Sequence, residues 1–354
     1  MPRTMGSIAM TSRQTTVFTL AICLAGAWVS AARAQSEADF YRGKNINMGI
    51  PSDSGGGYDT YVRLLARHFH KYMPGTPNVV PQNVPGGGGL VQANRLYNTE
   101  PKDGTHIGLV RASVLYESVF GNAAAKFDGR KFAWLGNLNA DRDTCLFWHT
   151  TGVKSPQDLY GKEVLVGATG VGAMSYSFPS VYNDVLGTKL KIIMGYKGTP
   201  DRILAMERGE IHGACGLTTG TFRSTLEGPY KEGKLILAAV AGLSKEPNFP
   251  NTPNMVDEAK TPEQRQALEF LFAQMEIGRA MAAPPGTPAA RVSLLRRAFD
   301  ATVRDADFLA DAARLKLDIS PINGDQTAAV VEKFYTTPPA VVQKVRGAFG
   351  PDAK

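Results

Sequence analysis

The sequence predicts an α/β protein with mainly parallel sheets, and three observations carry that prediction. Short strand-like segments alternate with helical ones along most of the chain. Two glycine-rich turns, "PSDSGGGYD" from Pro51 and "GATGVGAMSYS" from Gly167, each lie between a strand and the start of a helix. The length, 354 residues, is enough for two or three domains with proper cores.

The N-terminus reads as a targeting segment rather than as part of the fold. Arg3 and Arg13 precede an apolar run from Val17 to Trp28, and Ala32-Arg33-Ala34 has the small-x-small pattern of a signal-peptide cleavage site. The run is about a dozen residues, short of the ~20 that span a bilayer. Cleavage after Ala34 leaves a soluble, exported chain, and the longest later apolar run, Leu235 to Ala241, is strand-sized. The net charge of +7 includes Arg3, Arg13 and Arg33, with no acidic residue before Glu37, so 7 − 3 leaves +4 after cleavage. So mild a charge, without a basic block, does not point to nucleic acid and favours encounter with small anions.

Within the exported part, Lys44 to Pro51 is a strand, and Tyr58 to Lys71 is a helix with Tyr58, Val62, Leu65 and Phe69 along one face. Val79 to Val84 is the second strand, followed by four glycines, Gly86 to Gly89, and a helix to about Tyr97. Strand three is His106 to Val110. A fresh unit begins after Gly136: strand Thr144 to His149, a short helix Ser155 to Tyr160, and strand Glu163 to Gly167. Strand Lys189 to Gly195, helix Pro200 to Gly209, strand Ile211 to Gly216 and strand Leu235 to Ala239 follow. Gly278 to Ala283 leads back to the first unit. Thr287-Pro288 supplies an N-cap and first-turn pair for a helix burying Val292, Leu295, Phe299 and Val303. The two cysteines beyond the leader, Cys145 and Cys215, are capable of pairing in an oxidising compartment, but two separate buried thiols is the reading slightly favoured. Neither has the spacing of a metal site.

The glycine turns carry the functional inference. At the start of a helix the backbone N–H groups lack internal partners and the helix dipole favours negative charge, so each turn is a cradle for an anion such as a carboxylate. Two cradles in separate halves suggest two grips on one ligand, across a cleft beyond the strands' carboxyl ends. A dinucleotide reading of Gly167, Gly170 and Gly172 fails, because the next strand runs into Tyr196-Lys197-Gly198 without the acidic residue that would hold a ribose. The five histidines are scattered, His68 and His70 diverge on their helix, and no nucleophile stands beside a base. His212, beside Ile211, reads as a packed or hydrogen-bonded core residue.

The motifs together are similar to those of one family. Gly55-Gly56-x-x-Asp59 after a strand, Gln82-Asn83-Val84-Pro85-Gly86-Gly87-Gly88-Gly89, Pro101-Lys102-Asp103-Gly104 and the loop Gly167-Ala-Thr-Gly170-Val-Gly172 occur in that order. Tyr196-Lys197-Gly198, Gly209-Glu210 and Ala283-Pro284-Pro285-Gly286-Thr287-Pro288 follow. From about Phe40 to Phe349 the chain resembles the Bug family, the periplasmic solute receptors of tripartite tricarboxylate transporters. The resemblance implies a two-domain periplasmic-binding-protein fold of type II, a Venus flytrap with the ligand cleft between lobes. It divides the chain into a signal peptide at 1–34, a discontinuous first domain at 35–140 plus 280–354, and a second domain at 141–279.

Carried over residue by residue, the resemblance places Ser52, Ser54, Gly55, Gly56, Gly57 and Asp59 on the ligand from the first loop. The second loop contributes Thr169, Gly170, Val171, Gly172, Ala173, Met174 and Ser175, and Lys197 stands at the cleft rim. Asp59 either caps its helix or touches the ligand, and Ser175 is either a hydroxyl donor to the ligand or a plain first-turn residue. Asp53 and Ser54 depart from the family pattern, as does His212, which stands where an aspartate is usual. Arg111 replaces a small polar residue just past strand three; pointing inward, its fork would clamp a second carboxylate, and pointing outward it would be one more solvated charge. Tyr58, Phe178 and Trp148 are aromatic residues near the expected cleft.

The expectation is a non-enzymatic, monomeric receptor without cofactor or metal. It closes around a small organic carboxylate and delivers it to membrane-embedded transporter subunits. A sensory receptor for a membrane kinase and, less well supported, an exported enzyme on the same fold are the alternatives.

Overall fold

The structure, a computed structural model, describes residues 37–349 apart from Gly56, Val171, Gly172, Lys197 and Ala348. The expected signal peptide lies outside the described residues.

The strands are β1 (Asn45–Ile50), β2 (Asn78–Asn83), β3 (His106–Val110), β4 (Ala133–Asn137), β5 (Asp143–Trp148), β6 (Val164–Gly167), β7 (Leu190–Ile193) and β8 (Gly213–Thr218). They continue with β9 (Leu235–Ala241), β10 (Ala280–Ala283) and β11 (Ile322–Asn323). One sheet has the order β11-β4-β10-β3-β1-β2 and the other β7-β6-β8-β5-β9. The chain therefore builds most of the first sheet, crosses over between β4 and β5, and returns between β9 and β10.

That return corrects one expectation, since the sheets are mixed rather than mainly parallel. β1 runs parallel to β2 and β3, and β6 parallel to β7 and β8. The strands adjoining the crossings, β4, β5, β9 and β10, pair antiparallel, because a strand that enters a sheet from the opposite end must run against its neighbours.

Sequence patterning explains the packing. In β1 every second residue, Ile46, Met48 and Ile50, is fully buried, as a half-covered pleat requires. The helix Gly57–Phe69 covers them with Val62, Leu65 and Phe69, and the helix Ala289–Thr302 adds Leu295 and Phe299. Pro288, not Thr287, is the N-cap residue of that second helix, and Thr287 instead bonds Pro284 O at 2.8 Å to close the preceding turn. β4 and the helix Pro262–Glu276, neither anticipated from the sequence, complete the core. Phe270, Leu271 and Phe272 of that helix join one apolar cluster with Val110 and Trp134 from the first sheet and Val164, Val166 and Phe178 around the second.

The second correction concerns the cysteines. Cys145 on β5 and Cys215 on β8 form a disulfide. The two strands are antiparallel neighbours, which brings the residues face to face across the ladder. That neighbour relation is invisible in a linear spacing of 70 residues.

Candidate functional site

At the carboxyl end of β1 the chain turns, from Pro51 on, toward the helix Gly57–Phe69. Asp53, Ser54, Gly55 and Gly57 are exposed on this turn, and Ser52 spends its hydroxyl on Asp53 O at 3.2 Å. Asp59 is buried and fully engaged. Its Oδ2 accepts from Gly55 N at 2.9 Å, while Oδ1 accepts from Arg63 Nε and Asn83 Nδ2, both at 2.8 Å. Asn83 also donates to Ser52 O at 2.9 Å. Asp59 thus ties the turn to the end of β2, and its acceptors face the protein rather than open space.

Burial alone would raise the Asp59 pKa, but the bonds from Gly55, Asn83 and Arg63 outweigh it and hold the group below the ordinary carboxylate value. A depressed folded-state pKa stabilises the fold above the unfolded value and loses that stabilisation as pH falls through the folded one. Asp59→Asn is therefore expected to destabilise the protein at pH 7 by about 1–3 kcal/mol. The deficit relative to wild type should shrink below about pH 4 in urea titrations run across pH; a deficit independent of pH would argue against the ionised brace.

Beside this turn stand two arginines. β10 pairs antiparallel with β3, Ala280 opposite Val110, so Arg279 and Arg111 face each other one step beyond the ladder. The Arg111 guanidinium lies 4.7 Å from the centroid of the Tyr58 ring and that of Arg279 lies 4.5 Å from it, with Arg279 also 5.2 Å from Tyr61. The glycine run makes this possible. A methyl group added at Gly89, whose φ is +108°, would come within 2.8 Å of Arg111 Cδ. The backbone of Arg279 is equally fixed: its N–H donates to Asn137 Oδ1 at 2.7 Å, and its carbonyl accepts from Leu138 N at 3.2 Å. Sequence reasoning missed Arg279, though a cation just ahead of the apolar β10 is a signal worth following. Of the three aromatic residues expected near the cleft, only Tyr58 sits at this site. Phe178 is core, and Trp148 lies at the far end of β5 beside His149.

The second turn follows β6. Its described part folds on itself: Thr169 N donates to Ser175 Oγ at 3.1 Å, and the two hydroxyls lie 3.2 Å apart. Ala173 is the N-cap residue of the helix Met174–Val181, its carbonyl accepting from Tyr176 and Ser177 N–H at 2.9 Å. Thr169, Gly170, Ala173 and Met174 are half-buried and Ser175 is buried. Val171, Gly172 and Lys197, like Gly56 of the first turn, lie outside the described residues.

Beneath this turn, Gly216 (φ +78°) packs so closely that a Cβ there would stand 2.3 Å from Ser175 N. The Gly216 N–H donates to Asp143 Oδ2 at 3.0 Å. Burial pushes the Asp143 carboxyl well above its ordinary range, against the pull of that N–H, the Thr144 N–H and Arg202. His212, away from the turn, accepts from Leu165 N through Nδ1 at 3.1 Å.

The two sheets meet over polar contacts. Asp318, which precedes β11, pairs with Arg223, which follows β8, and its carbonyl accepts from the Tyr61 hydroxyl at 2.8 Å. Asp141 Oδ1, between the sheets, accepts from the Thr219 hydroxyl at 2.6 Å. Burial raises the Tyr61 hydroxyl to about 12, so it stays a neutral donor. Among the described residues no group of three His, Cys, Asp or Glu side chains is arranged to hold a metal. The arrangement is suited to holding an anion by cations and N–H groups.

No family model matches the chain. A UPF0065 protein from the TAR-I ttuE-ttuC' intergenic region of Agrobacterium vitis is 26% identical over 320 residues, covering 87% of this chain and 84% of the relative. Among solved structures, a TctC solute-binding protein from Polaromonas matches with a TM-score of 0.70 at 19% identity, over 86% of this chain and 99% of its own. The periplasmic binding protein BugD matches at 0.56 and 21%, over 87% and 98%. MatC from Rhodopseudomonas palustris, solved with bound malate, matches at 0.55 and 19%, over 84% and 99%. These likenesses establish a two-domain α/β fold of the periplasmic-binding-protein type, and the neighbours are binding proteins, not enzymes.

Proposed function

We propose that this chain, which resembles the Bug family in its motifs and shares the fold of TctC-type solute-binding proteins, captures a small carboxylate-bearing solute in the periplasm. It delivers that solute, as a monomer, to a tripartite tricarboxylate-type membrane transporter. The observation that carries the reading is the pair of guanidiniums on Tyr58, next to the helix start at Gly57. Among the described residues neither cation has a carboxylate partner, and cations beside a helix N-terminus attract an anion.

In this reading the lobes are 35–140 with 280–354, and 141–279. The first lobe binds through Ser52, Ser54, Gly55, Gly56 and Gly57 with Arg111, while Asp59 positions the turn rather than touching the solute. The second lobe closes with Thr169, Gly170, Val171, Gly172, Ala173, Met174 and Ser175, and with Lys197 at the rim. The disulfide supports an oxidising compartment such as the periplasm. Among the described residues no helix is long and apolar enough to cross a membrane. Delivery to a transporter rests on the family resemblance, and the malate in MatC is an example of the solute chemistry.

Thermal-shift screening of the chain without residues 1–34 tests the reading, using carboxylates alongside their amide and ester analogues. A matching acid at 100 times its Kd should stabilise the protein by about 2.7 kcal/mol, and its neutral analogue should not. Stabilisation by neutral solutes alone would sink the proposal.

A further inference from the structure

One ion pair joins the two units on the edge of each sheet that faces the other. β6 and β8 run parallel, so the turn after β6 and the helical run after β8, Thr219–Thr221 and Phe222–Leu226, leave the same edge of the second sheet. Arg223 belongs to that run and pairs with Asp318 of the first unit. Asp318 is held from behind. Its carbonyl accepts from the Tyr61 hydroxyl at 2.8 Å. Two residues on, Ser320 is tied to the crossing between β4 and β5, its N–H donating to Leu138 O at 3.3 Å and its carbonyl accepting from Ala140 N at 2.9 Å. Tyr61 stands one helical turn past Tyr58 and puts its ring 5.2 Å from the Arg279 guanidinium. A methyl group added at Gly220 would stand 3.2 Å from Asp318 Oδ2 and 4.0 Å from Asp141 Oδ2, so two carboxylates crowd the start of the run. Asp141 accepts from the Thr219 hydroxyl at 2.6 Å and the Arg142 N–H at 2.9 Å, while Asp318 has Arg223. Carboxylates this close repel, and the Arg223 charge offsets that repulsion.

We propose that Arg223 and Asp318 form a latch between the two units that favours the closed cleft before any solute binds, with Tyr61 linking the latch to Arg279. Opening the cleft moves the edge that carries Arg223 away from the edge that carries Tyr61 and Asp318. The cation is then withdrawn from the two carboxylates it was offsetting. The same geometry keeps the latch weak enough to release. The pair lines a cavity of about 460 Å³, and its side chains are 42% and 25% exposed, so water replaces each partner at small cost when they separate. A receptor whose binding-competent arrangement is already populated loses less affinity to the conformational change. The effect on affinity rests on the carboxylate reading, and the effect on the spacing of the units does not.

Small-angle X-ray scattering of the unliganded chain without residues 1–34 tests this on the wild type and on variants whose melting temperatures show that they have folded. Arg223→Ala should shift the radius of gyration upward, and Arg223→Lys, which keeps the charge, should stay near the wild type. In an Asp318→Asn background the alanine substitution should add little, because the pair is already lost. Tyr61→Phe, which keeps the ring beside Arg279 and loses only the hydroxyl, should fall between wild type and Arg223→Ala. Salt at about 1 M, which screens a partly exposed pair, should expand the wild type and leave Arg223→Ala unchanged. Calorimetry with malate should show a Kd about 3–10-fold weaker in the expanded variants. A wild-type radius in folded Arg223→Ala, or an unchanged malate Kd in a variant that has expanded, overturns the latch. Malate binding to none of the proteins, wild type included, counts against the carboxylate reading, and the scattering alone then decides the latch.

Discussion

Replacing Cys145 and Cys215 with serine, or reducing the disulfide, should lower stability by about 4 kcal/mol. The cross-link closes a span of 70 residues, and a loop of that length frees much entropy in the unfolded chain when it is cut. For a chain of this size the expected fall in melting temperature is about 6 °C. The position adds a functional consequence. Cys145 follows Asp143 by two residues, and Cys215 immediately precedes Gly216, which Asp143 holds by a hydrogen bond. Loosening β5 from β8 therefore relaxes the seat under the second turn, and solute affinity should fall along with stability. Melting curves with and without reductant give the answer, and identical curves would show that the pairing of β5 and β8 does not depend on the bond.

Gly216→Ala is the second substitution with a large expected effect. At φ +78° an alanine is strained by about 1–2 kcal/mol. Its methyl group would also meet the Ser175 nitrogen at 2.3 Å and the Met174 carbonyl carbon at 2.5 Å, backbone atoms that have no rotamer to escape into. Overpacking of that kind adds about 1–3 kcal/mol. The combined loss of about 3 kcal/mol is expected with a specific signature, because the atoms displaced begin the helix Met174–Val181 and anchor Thr169. Affinity for the solute should drop more than tenfold even at temperatures where the variant is folded. Urea unfolding together with calorimetry separates the two effects, and a folded variant with wild-type affinity would dissociate this seat from binding.

Both substitutions act through contacts that sequence reasoning had no means of placing. Strands β1, β2 and β3 were readable within one or two residues because alternating burial in β1 and an apolar run in β3 are local patterns. The helix Pro262–Glu276 was legible too, through the Thr261–Gln264 capping box and Pro262 in its first turn, although the sequence reading passed over it. The glycine turns were recognised because a strand, a glycine cluster and a helix follow one another along the chain. What Asp59 does was left open, since capping and ligand contact demand the same residue type at the same place. In the fold its carboxylate holds the turn, braced by Asn83 from the end of a neighbouring strand.

By itself, then, the sequence determined the α/β class, the two strand-turn-helix cradles and the resemblance to a family of solute receptors, all properties written in residues close together along the chain. The tertiary structure alone decided that Cys145 meets Cys215, that Gly216 underlies Ser175, and that Arg279 stands opposite Arg111 over Tyr58. Those partners are far apart in sequence and adjacent only because β5 pairs with β8 and β10 with β3. Strand order depends on how whole layers pack, so no local pattern of residue types encodes it.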